Sequence, residues 1–534
     1  MNKKISVTAL LTIILSFFTV AFAATPAAAD SQTPTDTLRV GMEAGYAPFN
    51  WTQTTDAHGA VPIQGENSAW AGGYDVQIAK KVAAGLGKKL EIVKTSWDGL
   101  PVALQSGKID AVIAGMSPTA ERKKEIDFTN PYYESHLVIV TRKDSKYAKA
   151  KDLADFKGAK LTAQLNTFHY TVIDQIPGVQ KEQAQKDFSA MRAALSSGVI
   201  DGYVSERPEG VTATSVDKNY AMVEFAKDKG FKTNPEDVQV AVGMRKGDPD
   251  VAKVNQILAG ISEEERTKLM DAAIKEQPAA SDSSEEKSGF LHDIKTIWNQ
   301  YGGLFLRGAG LTLLIAIVST ILGTSLGLLI GVIRSLPVAE NKVLFVFQKF
   351  FNWLLSVYIE IFRGTPMMVQ AMVIYYGLAQ VFQIDLNRTL AAFIIVSFNT
   401  GAYMSEIVRG GIFAVDPGQF EAAQAIGMTH GQTMTKVVLP QVIRNILPAT
   451  GNEFVINIKD TAVLSVISVA DLFFQGTSAA GTNYKFFPVF TIVGIMYLIM
   501  TYTISRILRL VEKRIDGPQS YIKADEAELE AEEE

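Results

Sequence analysis

The sequence predicts a two-lobed α/β soluble domain followed by an all-α membrane domain of five spanning helices. Three observations carry that expectation. Between residues 38 and 278 the apolar runs are short and alternate with helical patterns, whereas after residue 304 they lengthen to the scale of a bilayer. A small, polar and charged stretch at 279–288 (AASDSSEEKS) separates the two regimes and is too polar to pack a core. The chain has 534 residues, 47% hydrophobic and 20% charged, the average of one soluble part and one membrane part.

Taken in order, Lys3 and Lys4 precede an apolar run over 9–23, and small residues follow at Ala21, Ala23 and Ala27 to Ala29. Segment 1–29 therefore reads as a secretory signal and the start of the mature chain, with cleavage expected after Ala23 or Ala29; the alternative is an uncleaved anchor, for which the run is nearly long enough. The soluble domain is placed at 37–278. Strand-like runs at 38–42, 111–114, 137–140 and 238–242 alternate with a helical pattern at 74–86. Two runs, near 138–141 and 238–243, bracket a second α/β stretch, so the chain leaves one lobe and returns to it. Lobe 1 is assigned to 37–140 and 238–278, lobe 2 to 143–236, and the linker to 279–289.

The membrane domain is placed at 290–515, with spans near 304–333, 366–382, 390–412, 446–469 and 487–507. Arg334, Lys342 and Lys349 follow the first span, Arg409, Lys436 and Arg444 lie around the loop between the third and fourth, and Arg506, Arg509, Lys513 and Arg514 end the last. The other loops hold only Arg388 and Lys485. Basic residues stay inside, so the soluble domain is expected outside the cell and the C-terminus in the cytoplasm, which an odd number of spans requires. The acidic tail, 516–534, reads as a solvated cytoplasmic extension. Glu453, Lys459 and Asp460 interrupt the fourth span, where charge is costly. They read either as a polar lining of a translocation path or, for Lys459 and Asp460, as a buried structural pair at a subunit interface.

Several function classes are disfavoured. With 56 acidic and 51 basic residues the net charge is −5, which leaves no broad electropositive footprint for nucleic acid. There is no cysteine, hence no disulfide, thiolate metal site or lipidated anchor. The five histidines are scattered without H-E-x-x-H spacing, and no G-x-S-x-G elbow frames a nucleophile, so neither a metal, a cofactor nor catalysis is expected. No Walker A pattern occurs; Gly85-Leu86-Gly87-Lys88-Lys89 lacks the first Gly and the Ser/Thr. Any ATP hydrolysis must come from another subunit.

The loop after the third span reads Glu421-Ala422-Ala423-Gln424-Ala425-Ile426-Gly427 and, nine residues later, Val437-Val438-Leu439-Pro440. This resembles the EAA loop (421–440) of bacterial ABC importer permeases, and matches that spacing at every position. Glu360-Ile361-Phe362-Arg363-Gly364-Thr365-Pro366 and Tyr403-Met404-Ser405-Glu406-Ile407-Val408-Arg409-Gly410-Gly411 are similar to the histidine/glutamine branch of that family. The resemblance implies a type I ABC importer membrane domain that works as a pair, hence a second copy of this chain, and an ATP-binding subunit dimer. It implies that Glu421, Ala422, Ala423 and Gly427 form a short cytoplasmic helix seated on that ATPase. Small alanines permit close docking, Glu421 can pair with a partner base, and Gly427 permits the turn that ends the helix.

The soluble half resembles the extracellular solute-binding proteins of polar amino-acid ABC importers, which implies a periplasmic-binding-protein-like (type II) fold. Ala114-Gly115-Met116-Ser117-Pro118-Thr119-Ala120-Glu121-Arg122 matches A-G-x-[ST]-x-T-x-E-R, in which the Arg clamps the ligand α-carboxylate. Arg suits that role because its planar fork makes two parallel charge-assisted hydrogen bonds. Ala114, Gly115 and Ser117 would complete the clamp. Glu206 stands where the family keeps an acid for the α-ammonium, and Asn166-Thr167 matches a second-lobe G-T, with Asn in place of Gly. Glu43-Ala44-Gly45-Tyr46-Ala47-Pro48-Phe49 matches [DE]-x-x-[YF]-x-P-F. The resemblance implies that Tyr46 and Trp97 sandwich the ligand side chain while Glu43 receives its polar end. Two acids in one pocket tilt the ligand towards arginine, lysine or histidine, with glutamine close behind. An amino-acid-gated channel and a sensor receptor share such a binding domain, but no selectivity-filter string and no inner signalling domain are present. An enzyme on this fold would be exposed by turnover of the ligand.

Overall fold

A computed structural model describes residues 36–66, 68–226, 228–278, 289–483 and 485–516. The expected signal segment, residues 279–288 of the linker and the tail beyond 516 lie outside the described residues.

Near-continuous apolar runs such as Leu137–Arg142 build sheets buried on both faces. The first lobe centres on a five-stranded sheet in the order Lys89–Lys94, Thr37–Met42, Ala111–Val112, Gln239–Met244, Asp127–Glu134. Its first three strands are parallel, and Gln239–Met244 runs antiparallel to both of its neighbours. The second lobe has the matching sheet Gln180–Lys181, Lys160–Thr162, Gly202–Glu206, Leu137–Arg142, Tyr220–Val223. A small antiparallel sheet carries Gly45–Tyr46 and Asn50–Gln53 on the rim of lobe 1. The chain crosses between lobes at Ser135–His136 and returns before Gln239, and the Ser135 amide donates to the Val238 carbonyl at 2.9 Å. The lobe boundary thus falls near 136, not 140. The run at 137–142 pairs with Gly202–Glu206 and Tyr220–Val223, and an apolar run does not reveal which sheet it joins.

In the membrane half, four helices among the described residues are long and apolar enough to cross a bilayer: Phe290–Arg334, Lys342–Gly364, Arg388–Phe413 and Phe486–Glu512. A fifth crossing is available if the pair His430–Ile467 and Leu472–Asn483, bent by 55°, counts as one. The second expected span differs. Met367–Phe382 is a shorter apolar helix, and Lys342–Gly364, read from sequence as a cytoplasmic connector, passes the length and composition test. Gln348, Lys349 and Asn352 break its apolar run, while Val343, Val346, Phe347 and Phe350 share an exposed face that only helical spacing reveals. Arg334 hydrogen-bonds Glu406 and Ser356, and Tyr358 Oη donates to the Phe398 carbonyl at 2.6 Å, so Lys342–Gly364 runs back along Arg388–Phe413. Thr365 and Pro366 break the path, and Met367–Phe382 continues to Asp385, which pairs with Lys108 of lobe 1. The two pieces in series lead from the Arg334 end to the soluble domain.

Phe290–Arg334 and Arg388–Phe413 pack in parallel through a glycine stripe. A Cβ on Gly323, Gly327 or Gly331 would stand 2.6 Å from Thr400 Cβ, 2.5 Å from Met404 Cβ and 2.6 Å from Val408 Cγ1 respectively, closer than carbon atoms approach. Asn457 donates across this seam to Thr320 at 2.9 Å and Thr400 at 3.0 Å.

Candidate functional site

A cavity lies between the two lobes. Tyr46, Trp97, Gly115, Ser117 and Arg122 line it from lobe 1, and Gln164, Thr167, Phe168, His169 and Phe188 from lobe 2. The lobes are closed upon it. Arg122 Nη1 donates to the Ser117 carbonyl and Nη2 to the Asn166 carbonyl across the cleft, both at 3.0 Å, and the guanidinium lies 5.2 Å from the Trp97 ring centroid. Burial lowers its pKa to about 10, so it stays charged at neutral pH. No carboxylate among the described residues reaches within 4.0 Å of it, which leaves the cation suited to an incoming carboxylate.

Gly115 has φ +65, and a Cβ there would meet Tyr46 Cε1 at 2.8 Å, so both conformation and space demand glycine. Asn166 stands at φ +58, and Asn tolerates this left-handed conformation that a glycine would adopt freely. Its Nδ2 donates to Asp98 at 2.8 Å, a second tie across the cleft. Ala114 is buried behind the clamp, and Thr167 Oγ1 donates to the Gln164 carbonyl at 2.7 Å.

Glu206 ends a second-lobe strand and is 1% exposed. Tyr46 Oη donates to its Oε2 at 3.1 Å. Its Oε1 lies 3.8 Å from His169 Nε2, and neither atom has a hydrogen bond. This contact is not an ion pair. Burial raises Glu206 to about 8, and burial with the nearby Arg122 lowers His169 to about 3, so both are neutral at pH 7. An orphaned buried oxygen and a buried carboxyl held protonated fit a site completed by a cationic group. Tyr46 stacks on Phe188 across the cleft, with ring centroids 4.5 Å apart at 14°. Tyr46 and Trp97 line this one cavity, but the Tyr46 ring is stacked on Phe188 and on Phe49, so the expected sandwich of a ligand side chain between Tyr46 and Trp97 is not what these rings form; Gln164, Phe168, His169 and Phe188 were not singled out. The position of Gln164 two residues before Asn166 was a usable signal; nothing in the sequence marked His169 or Phe188.

Glu43 is not on the wall of this cavity, although its carboxyl accepts a hydrogen bond from Gln164, which is. It lines a neighbouring cavity with Gly45, Lys94 and Ser96 of lobe 1, Asp187 and Ser189 of lobe 2, and Ser478 and Gly481 of the membrane domain. Its carboxyl is raised to about 8 by burial and then by the charge of Asp187. Glu43 and Tyr46 are three residues apart and face different cavities, which motif spacing does not disclose.

The short helix Pro417–Ala425 follows Arg388–Phe413 directly. Pro417 fits its first turn and Asp416 caps it by accepting from the Gly418 amide at 2.7 Å. Ala423 is buried against the protein, whereas Glu421 and Ala422 are exposed. Gly427, at φ +78, ends the helix, with the Met428 amide donating to the Ala423 carbonyl at 3.0 Å. In the fourth apolar segment Lys459 is exposed, and Glu453 and Asp460 are half-buried. No ion pair joins Lys459 to Asp460 among the described residues. The deeply buried polar groups are instead Asn457 and Asp471, the latter accepting from the Phe474 amide, Thr461 and Tyr497.

Residues 323–517 match the model of the binding-protein-dependent transport system inner membrane component, and residues 38–275 that of bacterial extracellular solute-binding proteins, family 3. An arginine transport system permease protein of Bacillus subtilis, ArtQ, is 34% identical over 210 residues, 39% of this chain and 91% of that protein. The chain belongs to the binding-protein-dependent transport permeases. The glutamine transport system permease protein GlnP of Escherichia coli is 35% identical to this permease over 217 residues, 40% of this chain and 93% of that protein. An amino-acid ABC transporter substrate-binding protein from Streptococcus pneumoniae, solved with L-arginine, is 27% identical, with 45% of this permease and 94% of that chain covered and a TM-score of 0.40. The two-lobed architecture of this permease rests on its own strand order.

Proposed function

We propose that this chain is the combined capture and membrane subunit of an amino-acid ABC importer. One observation carries this: a single closed cleft holds the unpaired Arg122 cation and, through Tyr46 and His169, the buried Glu206 carboxyl, the complement of a free α-amino acid. Arg122 would clamp the α-carboxylate, assisted by Gly115, Ser117, Asn166 and Thr167, and Glu206 would receive the α-ammonium. Tyr46, Trp97 and Phe188 flank the side chain. The substrate is a basic amino acid or glutamine, in keeping with the arginine and glutamine systems named for two relatives. The soluble domain faces the outside, and the helix Pro417–Ala425 seats on a separate ATP-binding subunit dimer in the cytoplasm. Two copies of this chain form the translocation path, with Glu453, Lys459 and Asp460 facing the second copy or the path. Fusion sets the local concentration of the binding domain at the membrane domain, with no diffusional search. The test is calorimetric titration of the full chain in detergent with each common amino acid. Binding confined to a few polar or basic ones is the expected result, and silence across the panel from a folded sample would refute the assignment.

A further inference from the structure

The cleft contains two buried atoms without partners. His169 Nε2 and Glu206 Oε1 stand 3.8 Å apart, too far to bond each other, and neither has a hydrogen bond to any other group among the described residues. Both belong to lobe 2, His169 in the helix Phe168–Val172 and Glu206 at the end of the strand Gly202–Glu206, so movement of the lobes leaves the pair together. Each atom is aimed by a neighbour. Tyr46 Oη donates to Glu206 Oε2 at 3.1 Å and leaves Oε1 for the His169 side, and the Phe168 ring lies against the imidazole with centroids 4.2 Å apart at 34°. Burial and the charge of Arg122 keep the imidazole neutral, so one of its nitrogens carries a hydrogen and the other accepts.

We infer that His169, with its hydrogen on Nδ1, is a second acceptor for the ligand's α-ammonium, Nε2 and Glu206 Oε1 each taking one of the N–H bonds. This rests on the proposed capture of a free amino acid between the lobes. The spacing is right for one nitrogen shared between them. A nitrogen about 2.9 Å from both atoms sees them about 80° apart, and ammonium N–H bonds diverge by about 110°, so each bond bends by only about 15°. An acceptor without charge also suits the place. Glu206 already feels Asp75 and Glu209, and a further carboxylate beside it would hinder its ionisation, whereas a neutral imidazole adds a hydrogen bond and no charge. The consequence is selectivity at the α position. A primary ammonium satisfies both atoms, an α-hydroxyl has one hydrogen and satisfies one, and an analogue with neither leaves both orphaned at the full desolvation cost. His169 thereby makes the cleft demand the amino group, whatever side chain lies beyond it.

The test is calorimetric titration of the full chain in detergent at pH 7 with L-arginine and L-glutamine, and with their analogues lacking the α-amino group, δ-guanidinovalerate and glutaramate. The analogues are read by competition, up to millimolar concentration. His169→Leu fills the place without an acceptor and should weaken the amino acid about tenfold or more, while the weak binding of its analogue stays unchanged. His169→Gln returns an acceptor and should recover part of the loss. Thermal midpoints of both variants close to the parent's show that the fold is kept. Equal losses for amino acid and analogue would make His169 a packing residue and overturn the inference, as would a His169→Leu chain that binds the amino acid as tightly as the parent. If neither amino acid binds the parent chain, the capture reading itself falls, and the inference with it.

Discussion

Raising the pH from 6 to 8 should tighten amino-acid binding, because Glu206 must lose a proton before it can receive an α-ammonium. In the unliganded cleft burial holds this carboxyl at about 8. At pH 7 it is therefore one unit below its midpoint, and ionising it costs about 1.4 kcal/mol, a factor of about ten in affinity. The sign follows from the two states. The empty site keeps the proton and the liganded site does not, so binding releases close to one proton at pH 7 and strengthens about ninefold from pH 6 to 7, about fivefold from pH 7 to 8, and little beyond. The other groups around Glu206 hold their charge over most of this range. The Tyr46 phenol is raised well above its usual value, His169 stays neutral with its pKa near 3, and Arg122, near 10, stays charged. Buried Asp75, at about 6, and Glu209 act on Glu206 only through space, and Asp75 is largely ionised above pH 7. Titration calorimetry of the full chain with L-arginine between pH 6.5 and 8.5, in two buffers of different ionisation enthalpy, reads both the slope and the proton count. Glu43→Gln removes the one other carboxyl among the described residues that burial holds near 8 and should leave the slope intact. Affinity flat across this range, or no proton released, would refute the role of Glu206.

Four further outcomes are expected. Arg122→Ala should abolish binding and Arg122→Lys should weaken it at least about tenfold, since an ammonium keeps the charge but loses the fork; equal affinities by calorimetry would contradict the clamp. Gly427→Val places a β-branched residue at φ +78, a conformation such residues avoid, and should stop uptake in vesicles containing the ATPase partner while leaving ligand binding unchanged; normal uptake would remove the coupling role. Gly327→Leu should lower the thermal midpoint of the detergent-solubilised chain, because even its Cβ would stand 2.5 Å from Met404 Cβ; an unchanged midpoint would argue against the close seam. Glu43, raised in the fold from 4.5 to about 8, is destabilising when ionised, a penalty absent below about pH 4.5 and growing as pH rises to 8. Glu43→Gln should accordingly raise the unliganded midpoint at pH 8 and leave it unchanged at pH 4.5.

Much of the architecture was legible because it is written in periodicity. The change from short runs to long apolar ones marked the two domains, and the strands at 37–42 and 239–244 stand where their apolar runs placed them. Sheet partnership was not legible: Leu137–Arg142 reads the same whether it joins the first sheet or the second. Lys342–Gly364 was missed because linear hydropathy averages an amphipathic helix to a connector. Within the cleft, Tyr46, Trp97, Gly115, Ser117, Arg122 and Thr167 meet in one cavity, as their motifs implied. His169 and Phe188 enter it from the first turns of two helices, Phe168–Val172 and Phe188–Ser196, that carry no chemical pattern, and Glu43 lines the neighbouring cavity while its carboxyl reaches Gln164 on the wall of this one.

The glycine seam gives the membrane half a stiff shaft. Phe290–Arg334 has 45 residues and is about 68 Å long, against a hydrocarbon core of about 30 Å, so it stands well clear of the bilayer. Its N-terminal end is tied by Asp293 to Lys485, at the start of the last helix and beside the helix Leu472–Asn483. Its C-terminal end is tied by Arg334 to Glu406, one helical turn from Arg409 and close to the helix Pro417–Ala425. Because no side chain cushions the contact at Gly323, Gly327 and Gly331, a tilt imposed on Arg388–Phe413 from below is carried rigidly by its neighbour to the level of the binding domain. Force applied at one end of the molecule thus arrives at the other as displacement, with little lost to compression between.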